Sequence, residues 1–390
     1  MAGIPRFVLD LDQPPAERWS SVCEYYANSE ALGQALAFVD EVCSENSITS
    51  SFVTGCLKVA TRANWVLYSR ELRAISQQIN IPLGKLTALQ LVYEASAACT
   101  SVMAPLSARG DSLLHIRSMD WEMDFLRGVT LELDVRKAGR TLFIATSWAG
   151  YVGILTGVRS LPESDLAHWQ QSFSVAVNYR VLDMSFGRNL RKLLRYKWPV
   201  GFLVRETLTN ACDVYHAIEW LVTSELVAPT YLSICSSKLG AVVTRDRTSC
   251  DRLLVTALEQ SAQEQLLARL GDSVAEDAID VAPFPLLVQT NHDAWKQFGV
   301  HLSSEENIAW SAQRHAAASN YCIDNALVSS TQSDGDETDE HVAYFASHEH
   351  AWQLFARAPC HMDCTIYVTM MQPGKAASEA LATRYPEACG

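Results

Sequence analysis

Hydrophobic positions along the chain follow two periods, and the change between them falls near residue 99. From about 16 to 44, Trp19, Cys23, Tyr26, and later Leu32, Leu36 and Val39, recur at steps of three and four, the spacing of one helix face. Phe52, Cys56, Ala60, Ala63, Leu67, Ile75 and Ile79 give a second apolar face over 50–79, which Pro82 closes. Ahead of both, the stretch from Ile4 reads as a short strand stopped by Pro14 and Pro15. Residues 1–90 are therefore predicted to be mainly helical. Beyond Cys99 the period is two. Thr100–Met103, Leu113–Met119, Val129–Val135 and Thr141–Ser147 read as consecutive strands, separated by turns at Ala108–Asp111 and Lys137–Arg140. In the third, Val129, Leu131, Leu133 and Val135 alternate with Thr130, Glu132, Asp134 and Arg136, which predicts one wet face. Phe173–Tyr179 alternates in the same way. Helices are expected at 199–210, 212–226 and about 304–328, a polar acidic loop at 329–341, and a closing strand over Cys364–Pro373.

Composition narrows the partners. The chain has 390 residues, 48% of them hydrophobic and 19% charged, with a net charge of −13 and a pI near 5.2. Nucleic acid and anionic membrane both require clustered Lys and Arg, and the longest such run is Arg188–Lys192. No stretch reaches the ~18 consecutive apolar residues of a membrane span. The N-terminus carries no apolar run of signal-peptide length, and no Asn-X-Ser/Thr sequon occurs, so a cytoplasmic protein with mostly reduced thiols is the expectation. Cys360 and Cys364 are spaced like half of a zinc set, but no second pair completes it, and neither metal nor cofactor is expected.

The chemistry concentrates around one of the 11 cysteines. Cys99 ends a run of small residues and is followed by Thr100 and Ser101; Arg117 and Asp120 come just after Leu113 and Leu114. A thiol becomes a nucleophile when a cation stands beside it and a base takes its proton. Arg117 is the candidate cation. If the peptide bond before Cys99 is broken, the released α-amine is a candidate base, its pKa lying near ~8, and Asp120 can orient it. The competing reading is plain burial, since cysteines off disulfides are among the most buried residue types.

The stretch Ile81-Pro-Leu-Gly-Lys-Leu…Tyr-Glu-Ala-Ser-Ala-Ala-Cys-Thr-Ser101 resembles the processing site of acid ceramidase and N-acylethanolamine acid amidase. These are N-terminal-nucleophile hydrolases related to bile salt hydrolases and penicillin V acylases. Ala145–Gly157 is similar to that family's Ser-Phe-Ala-Gly-Tyr-Val-Gly pattern. Val227–Tyr231 with Gly240–Arg247 resembles its next hairpin, followed by a helix-like insert over 252–270. Phe284–Trp295 resembles its Val-Val-Gln-Thr-Asn-Tyr-Asp-Arg-Trp run. The likeness covers nearly the whole chain.

The resemblance implies an α+β fold: a four-layer αββα sandwich with a helical N-terminal segment. It implies self-cleavage between Ala98 and Cys99 into fragments 1–98 and 99–390 that stay bound. Cys99 would be the nucleophile, with Arg117 and Asp120 beside it and the amides of Asn178 and Asn291 as oxyanion donors. Trp148, Tyr151 and Tyr179 would wall the substrate pocket, and the substrate would be a small N-acyl amide. His292 is discounted as a base, because the α-amine already fills that role. Arg245 and Arg247 read as a solvated turn. Two departures stand out. The ceramidase branch has Asn-Glu where this chain has Asn178-Tyr179, a pair more like the bile salt hydrolase branch. Relatives also place an active-site Arg where this chain reads Leu302-Ser-Ser-Glu-Glu-Asn307. Either Arg314 substitutes or that function is absent. The second case would leave an acyl-binding protein without catalysis, interception of a thioester by a second amine would make an acyltransferase, and a specialised natural-product amidase is a further alternative.

Overall fold

The computed structural model describes residues 3–45, 50–91, 98–107, 109–161, 168–180, 197–296, 305–330 and 343–386. The acidic loop predicted over 329–341 and the position of the relatives' arginine lie almost wholly outside them.

The first strand, β1 (Arg6–Asp10), leads into helices α1 (Ser20–Tyr26), α2 (Glu30–Glu45), α3 (Ser50–Arg62), α4 (Ser69–Gln78) and α5 (Leu83–Leu89). Each long predicted helix is thus broken in two. The second breaks because Asn64 and Tyr68 adopt left-handed φ values of 58° and 57°, which no helix tolerates. Leu67, expected on the apolar face, falls in this break and is 45% exposed. Helices α3 and α5 touch backbone to side: a Cβ on Gly84 would collide with the carbonyl of Thr54, so only glycine fits there.

Strands β2 (Ala98–Pro105), β3 (Leu113–Asp120), β12 (Leu287–Gln289), β13 (Thr365–Met371) and β14 (Leu381–Arg384) form one sheet in the order β12-β2-β3-β13-β14. The larger sheet runs β1-β4-β5-β6-β7-β8-β9-β10-β11. Its further members are β4 (Thr130–Lys137), β5 (Arg140–Trp148), β6 (Thr156–Arg159), β7 (Phe173–Tyr179), β8 (Thr230–Cys235), β9 (Leu239–Arg245), β10 (Cys250–Ala257) and β11 (Ile279–Val281). The expected helical insert over 252–270 is corrected here. Its first part is β10, with Leu253 and Val255 buried, and only Gln260–Leu270, helix α8, is helical.

Period-two patterning dictates the layers. Val175 and Val177 of β7 pack outward with α6 (Val200–Asn210) and α7 (Val214–Thr223). Val102, Ala104, Leu114 and Ile116 of the smaller sheet pack outward with α9 (Glu305–Ser330) and α10 (His348–Leu354). Helices therefore flank two stacked sheets, the αββα order expected. The inner faces meet across polar pairs: Ser101 donates to Asn178 Oδ1 at 2.7 Å, and His115 Nδ1 lies 2.9 Å from Ser174 Oγ. Burial and the nearby Arg117 push His115 down to about 3, so it stays a neutral imidazole.

Two other expectations change. The face of β4 predicted to be wet is covered: Glu132 is 7% and Asp134 9% exposed, each ion-paired, to Arg6 and Arg136. Arg245 is buried, and its guanidinium donates to the carbonyls of Leu221, Val222 and Ser224 at the end of α7.

Residues before Cys99 are built into this body. β1 pairs in parallel with β4, Tyr26 OH donates to Thr130 O at 3.2 Å, and the Gln90 side chain bonds Gly150 O and the Val152 amide, both at 2.8 Å. Their core is continuous with that of the large sheet. The boundary at Cys99 therefore falls inside strand β2.

Candidate active site

Cys99 is the second residue of β2 and points between the sheets. It stands opposite Met119, while Ala98 stands opposite Asp120. The sulfur is buried, and Arg117, two residues along β3 on the same face, donates to it from Nη2 at 3.0 Å. The same guanidinium is fixed by Thr156 Oγ1, Tyr367 OH and Val177 O, each at 2.9 Å. These come from three other strands, so the cation is held rigidly against the sulfur.

The backbone on the other side is gripped by a second arginine. Arg314 of α9 donates from Nη1 to Cys99 O and to Thr100 Oγ1, both at 2.8 Å, and from Nη2 to Asn291 Oδ1 at 2.9 Å. Asn291 Oδ1 also accepts the backbone N–H of Cys99 at 2.9 Å, and its Nδ2 donates to Tyr179 O at 2.8 Å. A donor on one side and a carbonyl on the other fix which way this amide faces. Asp120 accepts from Thr365 Oγ1 at 2.7 Å and Ser118 Oγ at 2.9 Å, with Arg314 at 3.5 Å. Burial raises its carboxyl pKa, against the opposing pull of Arg314 and the two hydroxyls.

The structure thus brings Cys99, Arg117, Asp120 and Asn291 together, and it puts Arg314 among them. Two assignments shift. The nitrogen of Cys99 is bonded by Asn291 Oδ1, the part expected of Asp120. The amide of Asn178 is committed elsewhere: its Nδ2 donates to Gln289 O at 2.8 Å and Thr290 O at 3.3 Å, and its Oδ1 accepts from Ser101. Asn178 ties the end of β12 to β7 and, as folded, aims no donor at the sulfur. Asn291 likewise commits its Nδ2, to Tyr179 O at 2.8 Å.

Ala98, Asp120, Tyr179, Asn291 and Arg314 line a cleft of about 430 Å³, whose rim includes Phe38, Trp121, Met123 and Trp310. Phe38, Trp121 and Met123 also line a small apolar cavity of about 20 Å³, walled further by Leu89, Leu126, Trp148 and Tyr151. So Tyr179 stands in the cleft, while Trp148 and Tyr151 stand in the apolar extension behind it. Tyr151 packs its hydroxyl against Gly201, where a Cβ would collide. The indole N–H of Trp148 is buried with no protein acceptor. The α2 contribution, Phe38, lies off the helix face marked by Leu32, Leu36 and Val39, so the apolar period gives no signal for it. Among the described residues no cluster of His, Cys, Asp and Glu is placed to hold a metal ion, and no helix is long and apolar enough to cross a membrane.

Two stacked sheets between helix layers, with a strand-end cysteine between the sheets, constitute the N-terminal-nucleophile hydrolase fold. Sequence comparison narrows the class. No family model matches the chain. It is 27% identical to acid ceramidase of Homo sapiens over 320 residues, 75% of this chain and 71% of that one. It is 24% identical to the N-acylethanolamine-hydrolyzing acid amidase of Caenorhabditis elegans over 311 residues, covering 75% and 76%. An uncharacterised protein of Acanthamoeba polyphaga mimivirus matches at 25% over 311 residues, covering 72% and 91%. A solved structure of the Caenorhabditis elegans amidase superposes with a TM-score of 0.49 at 19% identity, covering 74% of this chain and 100% of that one. The chain is thus similar in sequence to the acid ceramidases and N-acylethanolamine-hydrolyzing acid amidases.

Proposed function

We propose that the chain is a self-processing amidohydrolase that cleaves the amide bond of an N-acylated, ceramide- or N-acylethanolamine-like compound. The observation that carries this reading is the pairing at one residue: the Cys99 sulfur lies 3.0 Å from Arg117 Nη2, and its backbone nitrogen lies 2.9 Å from Asn291 Oδ1. In the first reaction the sulfur attacks the carbonyl of Ala98, and the peptide nitrogen leaves as the α-amine of Cys99. Water then hydrolyses the resulting thioester. The amine so released stays beside Asn291 Oδ1 and becomes the base for turnover, its ordinary pKa of ~8 suiting proton transfer near neutral pH.

In turnover the thiol proton passes to that amine and the sulfur attacks the substrate carbonyl. The tetrahedral oxyanion forms beside Asn291, whose Nδ2, given to Tyr179 O in the resting site, is the donor it would share. The substrate's amine departs with the proton, and water hydrolyses the thioester. The apolar side chains of Phe38, Met123, Trp148 and Tyr151 are of the kind that line a hydrocarbon chain, which would have to widen the cavity of about 20 Å³ between them, and the polar cleft suits the amine portion.

Intact-mass spectrometry before and after incubation with a panel of N-acyl amides tests this. The expected result is a pair of fragments of 98 and 292 residues (390 − 98 = 292), with a transient acyl adduct on the larger one. A single unmodified 390-residue species throughout refutes it.

Arg314 supplies the role left open by the relatives' missing arginine. Arg314→Ala leaves Asp120 and the Cys99 carbonyl without their cation, and kcat/KM is expected to fall by roughly 10²–10³, the usual cost of one well-placed donor. Arg314→Lys recovers only part, because an ammonium cannot span Cys99 O and Asn291 Oδ1 as a planar fork does. Steady-state kinetics on both variants checks this; equal activity of wild type and Arg314→Ala removes the arginine from the mechanism.

A further inference from the structure

Helix α9 reaches the site at two points three residues apart, on one face of the helix. Arg314 holds the side chain of Asn291, as described. Ser311 holds its main chain: the Asn291 N–H donates to Ser311 Oγ at 2.8 Å. That hydroxyl also lies 2.9 Å from Thr290 Oγ1 and 2.8 Å from His292 Nδ1, and those two lie 3.1 Å from each other. Ser311 and Thr290 are wholly buried, and His292 is 6% exposed. One oxygen on α9 therefore ties down three consecutive residues, 290 to 292, of the loop that leaves β12. The middle one is the residue whose amide faces the Cys99 nitrogen.

We infer that Ser311 is a positioning residue for the amide hydrolysis proposed above, fixing the backbone at Asn291 so that its side chain meets the nucleophile's amine and the oxyanion. Ser311 touches neither the sulfur nor the cleft lining, so it acts through Asn291. The loop needs such an anchor. Asn291 is three-coordinated through its side chain to Cys99, Arg314 and Tyr179, and a shift of its backbone misplaces all three contacts together. A buried polar trio is costly when half satisfied, so a core-packing role alone would be met better by apolar side chains. The far side of the loop has its own anchor: Arg180 donates to both Asp293 oxygens, at 2.9 and 2.7 Å. Ser311 therefore governs the near side, where the chemistry is.

The inference rests on Cys99 and Asn291 acting as proposed, and the test separates the two. Ser311→Thr, Ser311→Cys and Ser311→Ala form a series of falling acceptor strength, in which threonine keeps the hydroxyl and adds one buried methyl. On an N-acylethanolamine, kcat is expected to stay within about threefold for threonine and to fall roughly ten- to a hundredfold for alanine. That is the scale of misplacing a reacting group by about 1 Å. Cysteine should fall between, with KM flat across the series. If kcat is unchanged in Ser311→Ala, or if kcat and KM move together with melting temperature and threonine does not rescue, the inference is overturned. Should the alanine variant not fold, the threonine and cysteine variants still rank the effect, and equal kcat in these two overturns it. Turnover retained by Cys99→Ala would instead remove the underlying reading and leave the Ser311 series without meaning for it.

Discussion

Cys99→Ala leaves one 390-residue species on a denaturing gel and releases no measurable amine from any N-acyl substrate. Both losses follow from one atom. In the proposed mechanism the sulfur attacks the Ala98 carbonyl and, after cleavage, the substrate carbonyl. Among the described residues one other thiol, that of Cys364, lines the cleft, but burial, with the carboxylates of Asp120 and Glu122, pushes it up to about 11, so it remains protonated at neutral pH. Removal of a unit nucleophile costs the whole covalent pathway, on the order of 10⁶ where such a group has been deleted from comparable machinery. Gel, intact mass and amine release measured on the same preparation decide the matter. Fragments without turnover would separate processing from catalysis, and turnover without Cys99 would end the proposal.

Glu71→Ala is expected to lower stability by about 3–5 kcal/mol, the usual result of leaving one half of a buried ion pair alone. Glu71 is 1% exposed and accepts from Arg205 at 2.8 and 3.0 Å, Arg18 at 2.9 Å and the Trp19 indole at 2.6 Å. Arg205 is almost as buried, lies 4.1 Å from the Tyr68 ring centroid and donates onward to Val152 O. Deleting the carboxylate strands that guanidinium in a low dielectric. The pair joins α4 to α6, one on each side of Cys99, so in the proposed processing it would also fasten the two fragments. Thermal or denaturant melts check the expectation; a change below about 1 kcal/mol would mean that water reaches Arg205. The pH dependence has a definite sign. Burial alone would raise the Glu71 pKa, but Arg205, Trp19 and Arg18 together hold it below the ordinary value of 4.5. The unfolded chain thus takes up the proton first on acidification. The stabilisation is complete above pH 4.5 and fades as pH falls toward the depressed folded value.

Much of this architecture was readable in the residues. Alternation at Leu113–Met119 and Phe173–Tyr179 marks strands because each has one face against helices and one inside the sandwich. The positions of Cys99, Arg117 and Asp120 follow once β2 and β3 pair. What stayed hidden depends on long-range geometry. Arg314 lies 215 residues from Cys99 and reaches it only because α9 covers the small sheet. The helix breaks at Asn64 and Tyr68 come from left-handed backbone that an apolar period does not register. The opening of 252–270 was misread because Leu253, Leu254 and Val255 form a run that suits either a helix or a strand buried on both sides. Asn178 has the residue type of an oxyanion donor, yet Gln289 and Thr290 offer its hydrogens nearer carbonyls.

The parallel pairing of β1 with β4 has a practical consequence for making the protein. A gene that starts at codon 99 yields a polypeptide whose large sheet ends in β4, with the row of amides and carbonyls normally matched by Arg6–Asp10 left open to solvent. Bare edges of that kind recruit strands from neighbouring molecules. Such a product should collect in inclusion bodies, whereas co-expression with the first 98 residues should keep it in solution. The leading segment would then act as a folding partner that covers the β4 edge.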